Sequence, residues 1–291
     1  MRRSRILPLG NRAGMAAALI IALVYTASVA GQTGPARSPD HGIGGYTGSV
    51  TAIREPVLLR LREASMVEGR LLVENDEQGW FLPRVSEARL SGLVQREGEA
   101  LRFEINVNEL SLDGRRLPMP GSLLALRGLM DDRGAWRDAE VDPLPQIRAP
   151  DKGKLIPVGG QWVGKKLATG ALFGARPVRQ GEELFASREI DRRLAETSGE
   201  EYAITRNTLS ARARGLAQVD GRPHVVGVVS GTIDVVGRNG DTYQVAPRGH
   251  VLIDAMSGLP RLWVRAAITG TERGVPIARS VDVTFDLVGK K

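Results

Sequence analysis

The commonest pattern in this chain is strict alternation of apolar and polar residues. The stretches "LRFEINV" (101–107) and "VDVTFDL" (281–287) each place four apolar residues at every second position. A period of two puts those side chains on one face of a strand and leaves the polar residues to meet water on the other. Gly or Asp interrupts the pattern at "REGE", "LDGRR", "VDGR", "GRNGD" and "AMSG", where tight reversals need them. The sequence therefore predicts a mainly β protein built from antiparallel strands.

One segment has a helical period instead. Ala186, Ile190 and Leu194 recur every four residues, and "TSGEE" follows them. That spacing places the three apolar side chains on one side of a helix. We expect a single helix over residues 182–196.

An internal repeat organises the strands. The motif Gly-Leu-x-Gln-x-x-Gly occurs at 92–98 and again at 215–221, and further matches follow downstream, among them Trp136 with Trp263. Each copy has the length and the turns of a four-stranded antiparallel meander, at 84–143 and at 208–270. A single meander leaves an apolar face exposed. The two copies should therefore form a curved sheet, a sandwich or a half-barrel with the one helix.

Proline and glycine mark the boundaries of these units. Residues 31–45, "GQTGPARSPDHGIGG", have the composition of a flexible tether, and residues 144–158 form a proline-rich connector. The connector separates a first β half, 46–143, from a second β half, 159–291, which contains the predicted helix.

The first 30 residues have the pattern of a secretory signal peptide. Four arginines precede an apolar run from Met15 to Tyr25, and no acidic residue occurs among the 30. This run is shorter than the roughly 20 residues that a membrane-spanning helix needs. Small residues at Ser28 and Ala30 predict cleavage between Ala30 and Gly31. The expected location is the bacterial periplasm. Anchoring in the inner membrane by an uncleaved N-terminal segment is the alternative.

Cleavage of the leader changes the charge balance. The whole chain has 40 basic and 33 acidic residues, for a net charge of +7. The leader takes four arginines and no acid, so 36 basic and 33 acidic residues remain and the net charge falls to +3. So small an excess does not predict nucleic-acid binding. The chain contains no cysteine, which excludes disulfides and thiolate metal sites.

Motifs for nucleotide, metal or hydrolytic chemistry are incomplete. The stretch "GGQWVGKK" (159–166) resembles a phosphate-binding loop, but Lys166 replaces the hydroxyl residue that binds Mg²⁺. Ser230, His224 and Asp254 are the residue types of a catalytic triad, yet no nucleophile-elbow motif supports them. The stretch "MDDRGAWRD" lacks the alternating oxygen ligands of a calcium loop. We expect no catalytic residue, metal, nucleotide or cofactor.

Tryptophan and arginine supply the candidates for ligand binding, which are Trp80, Trp162, Arg212 and Arg214. The two tryptophans have no counterpart in the other repeat, whereas the matched Trp136 and Trp263 are expected in the core. The two arginines alternate on one strand and project to one face, where they could meet lipid or lipopolysaccharide phosphates or an acidic protein. The alternative for them is an ordinary solvated face.

Two segments resemble motifs of a loose group of secreted bacterial β-rich proteins. They are "IPVGGQW" (156–162) and "VLIDAMSGLPRLWV" (251–264), and the resemblance covers mainly residues 155–288. The group has no agreed activity, so it implies no functional residue here. A curved sheet around a helix is also similar to periplasmic lipoprotein carriers, which is a likeness of architecture alone.

The sequence thus predicts an exported, non-enzymatic binding or scaffolding protein of the bacterial envelope. Its expected partner is an envelope protein or a hydrophobic ligand. Two alternatives stay open: a carrier of lipid or another hydrophobic ligand, and a hydrolase that acts on the envelope.

Overall fold

A computed structural model describes eleven parts of the chain, which are residues 46, 48–76, 85–116, 123–130, 136–140, 146–148, 155–157, 176–185, 202–237, 240–272 and 274–290. Several features predicted above lie outside these ranges. They are the leader at 1–30 with its cleavage residues Ala30 and Gly31, the tether at 31–45, the loop at 159–166, and the candidates Trp80 and Trp162.

Within the described ranges the regular structure consists of β-strands. The first seven are β1 (Val57–Leu59), β2 (Ala64–Asn75), β3 (Val85–Glu97), β4 (Ala100–Leu112), β5 (Arg115–Arg116), β6 (Leu123–Met130) and β7 (Trp136–Glu140). The next five are β8 (Gln146–Arg148), β9 (Leu155–Pro157), β10 (Arg176–Val178), β11 (Glu183–Phe185) and β12 (Tyr202–Asn207). The last six are β13 (Ser210–Val219), β14 (Arg222–Ser230), β15 (Ile233–Gly237), β16 (Thr242–Asp254), β17 (Pro260–Glu272) and β18 (Val275–Lys290).

Most of these strands belong to one antiparallel sheet, in the order β11-β13-β14-β16-β17-β18-β2-β3-β4-β6-β7. Strands β3-β4-β6-β7 form one meander and β13-β14-β16-β17 form another, so the two predicted meanders are confirmed. They continue edge to edge as one open, curved sheet. Strands β18 and β2 join them through a ladder that runs from Val281 opposite Asn75 to Lys290 opposite Met66.

The apolar core lies on one face of this sheet. In β18 every second residue from Val281 to Leu287 is buried, as the period of two predicts. A small separate sheet, β1 paired with β10, adds Leu59 and Val178 to the same apolar cluster. We call this side the inner face and the opposite side the outer face.

Strand β11 occupies the start of the predicted helix. Its Glu183 pairs with Arg212 of β13, and the N–H of Ala213 donates to the carbonyl of Glu182 over 2.8 Å. The edge of β13 carries backbone groups that need partners, and residues 183–185 pair with them as a strand. The rest of the predicted helix, 186–196, lies outside the described residues.

The hairpin turns show that the two copies of the repeat are offset by one residue fewer than the shared motif indicates. The β3–β4 turn starts at Gly98, with φ 62°, whereas the β13–β14 turn starts at Asp220, with φ 51°, and continues with Gly221, with φ 72°. Equivalent turn positions are therefore 122 residues apart, not the 123 of the Gly-Leu-x-Gln-x-x-Gly motif. A shift of one residue moves every side chain to the other face of a strand.

The corrected spacing agrees with burial. With an offset of 122 residues between the two copies, Phe103 corresponds to Val225, and both are buried in the inner-face core. The motif-based alignment instead matched Leu101, an inner-face residue, with His224. His224 is buried too, but it projects to the outer face, opposite Asp254.

Candidate functional site

The catalytic-triad residues are not brought together. His224 and Asp254 lie opposite each other, but Ser230 lies six residues further along β14, which is about 20 Å away in an extended strand. The Nδ1 atom of His224 is 2.9 Å from the carbonyl oxygen of Arg222. A hydroxyl, an imidazole and a carboxylate must form a hydrogen-bonded chain to work as a triad. These three do not.

Asp254 instead ties together the end of the sheet. Its carboxylate accepts hydrogen bonds from the Met256 N–H (2.7 Å), the Ser257 hydroxyl (2.9 Å) and the Arg222 guanidinium (3.2 Å). Arg222 also donates to the carbonyl of Gly289 in β18 over 3.0 Å. Burial by itself raises the pKa of Asp254, but these donors outweigh it and hold the pKa below its ordinary value. These hydrogen bonds join the β16–β17 turn, β14 and β18, so the role of Asp254 is structural.

A group of cationic and aromatic side chains converges on the outer face of β13, β14, β16 and β17. We call it the cationic patch, and it consists of Arg212, Arg214, Arg248, His250, Trp263 and Arg265.

The strand register assembles this patch. Arg248 of β16 is directly opposite Arg265 of β17, and the next pair on the same face is His250 with Trp263. Residues that pair across antiparallel strands project to the same side, so these four share the outer face. Val228 of β14 lies between His250 and Arg212 in the same row. The patch therefore spans four strands, or about 14 Å.

Arg214 joins the patch through a β-bulge. Ala213 pairs with Gly227 and Gly215 with Val226, which leaves Arg214 as the extra residue. Gly215 has φ 156°, and a Cβ atom there would collide with the carbonyl oxygen of Thr51. The bulge places Arg214 close enough to His250 for its positive charge to act on the imidazole.

Among the described residues, the patch has more positive charge than the neighbouring carboxylates neutralise. Arg212 pairs with Glu183 over 2.5 Å, but the Nε of Arg265 is 3.7 Å from Asp282, too far for a hydrogen bond. Within the described parts of the chain, no carboxylate lies within 4.0 Å of Arg214 or Arg248.

His250 adds no charge at neutral pH. Burial lowers its pKa and the positive charge of Arg214 lowers it further. Its Nδ1 atom is buried without a hydrogen-bond partner in the described structure, so a proton there would have no acceptor. The neutral imidazole thus lies among arginines that remain charged.

Acidic residues border the patch on one side. Asp282 of β18 lies opposite Glu74 of β2 on the outer face, and Asp76 follows at the end of β2. Burial raises the pKa of Asp282; Arg265 lowers it, and the negative charges of Glu74 and Asp76 raise it again. One row across the outer face therefore consists of Arg248, Arg265, Asp282 and Glu74, in that order.

The structure confirms some predictions about these residues and contradicts another. Arg212 and Arg214 do share one face, as predicted. The expectation that Trp263 is a core residue is wrong, because it lies half-buried on the outer face. Arg248 and Arg265 were not among the predicted binding residues. Their opposition depends on the β16–β17 register, and only their alternation with His250 and Trp263 along each strand hinted at a shared face.

Other kinds of site find no support in the described residues. No group of three His, Cys, Asp or Glu side chains among them is placed to hold a metal ion. That part of the chain also contains no helix long and apolar enough to cross a membrane. Comparisons with protein-family models, curated proteins and solved structures find no significant match to this chain.

Proposed function

We propose that this protein is an exported, non-enzymatic binding or scaffolding protein of the bacterial envelope, and that the cationic patch is its binding surface. The observation that carries the proposal is the direct opposition of Arg248 and Arg265. Like charges paired across strands destabilise a sheet, by up to about 1 kcal/mol. An anionic partner would offset that cost. The leader pattern supports export.

The two alternatives have weaker support. A carrier would need room for a hydrophobic ligand against the inner face, where Ile53, Leu59 and Leu184 already pack into the core. A hydrolase would need convergent catalytic groups, and Ser230 lies six residues from His224 along β14. The outer face is the better candidate for recognition.

Retention on a sulfonated cation-exchange matrix tests whether the patch binds anions. We expect the double variant Arg214→Ala/Arg248→Ala of residues 31–291 to elute at clearly lower salt than the unmodified protein, because it removes the two arginines of the patch that have no carboxylate partner among the described residues. The measurement is the salt concentration at elution.

The matched control is Arg115→Ala/Arg206→Ala, which removes the same charge from exposed positions outside the patch. Its elution should shift much less. Equal shifts for the two double variants would show that net charge alone governs retention, and the proposed binding surface would then be wrong.

A further inference from the structure

We propose that the cationic patch recognises the phosphate headgroup of an amphiphile at a lipid surface. This inference rests on the proposed function and specifies its ligand. Charge complementarity, the pairing of two arginine side chains and the adjacent aromatic surface each contribute to it.

The arrangement of the arginines favours phosphate over carboxylate. Arg248 and Arg265 project side by side from neighbouring strands, about 5 Å apart at the backbone. Each guanidinium is a planar fork that binds two oxygens of one anion. A phosphate monoester has three free oxygens and can accept hydrogen bonds from both guanidinium groups, whereas a single guanidinium already occupies both oxygens of a carboxylate.

The acidic border favours a compact anion over an extended one. A polyanion laid across the strands from Arg265 would next meet Asp282 and then Glu74. In the other direction, Glu183 already occupies Arg212 at the edge formed by β11 and β13. The available positive charge is therefore confined to a width of about three strand spacings, or 14 Å. A single headgroup fits these limits and a nucleic-acid backbone does not.

A half-buried tryptophan beside the arginines suits the rest of an amphiphile. Trp263 is two residues from Arg265 on the same face, and its row continues through Thr284 to Leu72 of β2. Trp263 is half-buried, so part of its ring meets solvent. Tryptophan is enriched where proteins meet a membrane interface, since the ring tolerates both apolar and polar surroundings.

Vesicle binding tests the inference directly. Residues 31–291 would be mixed with phosphatidylcholine vesicles that contain either phosphatidic acid or oleic acid, adjusted to equal surface charge, and binding would be measured by co-sedimentation. We expect at least tenfold tighter binding to the phosphatidic acid vesicles. Arg248→Ala/Arg265→Ala should remove that preference, and the control Arg115→Ala/Arg206→Ala should keep it.

A second arm distinguishes the source of the phosphate. Glycerol phosphate in solution should compete at least tenfold less well than phosphatidic acid vesicles, and Trp263→Ala should weaken vesicle binding. If glycerol phosphate competes equally well, the ligand is a soluble phosphate and the lipid inference is overturned.

Failure of this inference is separable from failure of the proposed function. Equal binding to both kinds of vesicle, still lost in Arg248→Ala/Arg265→Ala, overturns the preference for phosphate but leaves a general anion-binding surface. Binding that ignores the arginine substitutions overturns both. Arg248→Ala relieves a like-charge pair, whereas Arg265→Ala also removes the ion pair with Asp282, so circular dichroism of the double variant and of Arg248→Ala alone checks that each is folded.

Discussion

At the scale of single residues, Asp254 shows how one carboxylate can join separate segments. We predict that Asp254→Asn lowers the free energy of unfolding at neutral pH by about 1–3 kcal/mol, because the charge-assisted hydrogen bonds from Ser257 and Arg222 are weakened. Urea unfolding followed by circular dichroism measures the change. Glu68→Gln is the control, since its pair with Lys290 is exposed on both sides and should contribute less than about 1 kcal/mol.

The same carboxylate gives a prediction about pH. A folded-state pKa below the ordinary aspartate value of 3.8 means that the stabilisation is complete above that value and is lost as the pH falls through the folded-state pKa. The difference in stability between the unmodified protein and Asp254→Asn should therefore shrink under acid conditions. Asp282 and Asp286 have raised pKa values and act in the opposite sense, but they are present in both proteins and cancel. A difference that stays constant down to strongly acidic pH would contradict the assignment.

At the scale of elements, two turn glycines separate backbone conformation from packing. Gly258, in the β16–β17 turn, has φ 74°, and a Cβ there would lie 2.5 Å from the carbonyl oxygen of Arg60. Gly274, in the β17–β18 turn, has φ 77° and nothing within 4 Å of that position. We predict that Gly274→Ala costs about 1–2 kcal/mol through its φ angle alone. Gly258→Ala should cost at least about 1 kcal/mol more, because the chain at Arg60 must move.

Chemical denaturation of both variants measures these costs. The N–H of Arg62 donates to the Ser257 carbonyl over 2.9 Å, so the segment before β2 is held against this turn. Equal destabilisation by the two substitutions would mean that this segment moves aside freely, and that the contact adds nothing to stability.

At the scale of the whole molecule, the junction between β18 and β2 makes the two meanders depend on each other. Val283 and Val73 face each other there, and both are buried. We predict that the fragment 46–146 is insoluble or does not unfold cooperatively, because β2 would lose its pairing with β18 and the apolar residues that the second half adds to the shared core would be missing. Co-expression with the fragment 147–291 should restore a soluble complex. Circular dichroism and thermal unfolding test both statements, and a cooperatively folding 46–146 fragment would contradict them.

Much of the fold follows from local patterns. The alternation at 281–287 correctly predicted which side chains of β18 are buried, because a strand has a period of two whatever its neighbours are. The Asp-Gly steps at 113–114 and 220–221 correctly predicted hairpins, because both residues of each step have the positive φ angles that such turns require. The helix starting at 182 was not found over Glu183–Phe185, because spacing does not reveal that an open strand edge lies nearby.

What the sequence determined by itself is therefore the strands, their two faces and their turns, all of which depend on residues a few positions apart. Only the tertiary structure decided the joining of β18 to β2, the one-residue correction of the repeat and the meeting of Arg214, Arg248 and Arg265. These depend on the register between strands distant in the chain. A slip of one residue would leave every local pattern intact and would move Arg248 to the opposite face from Arg265, so periodicity alone cannot select the patch.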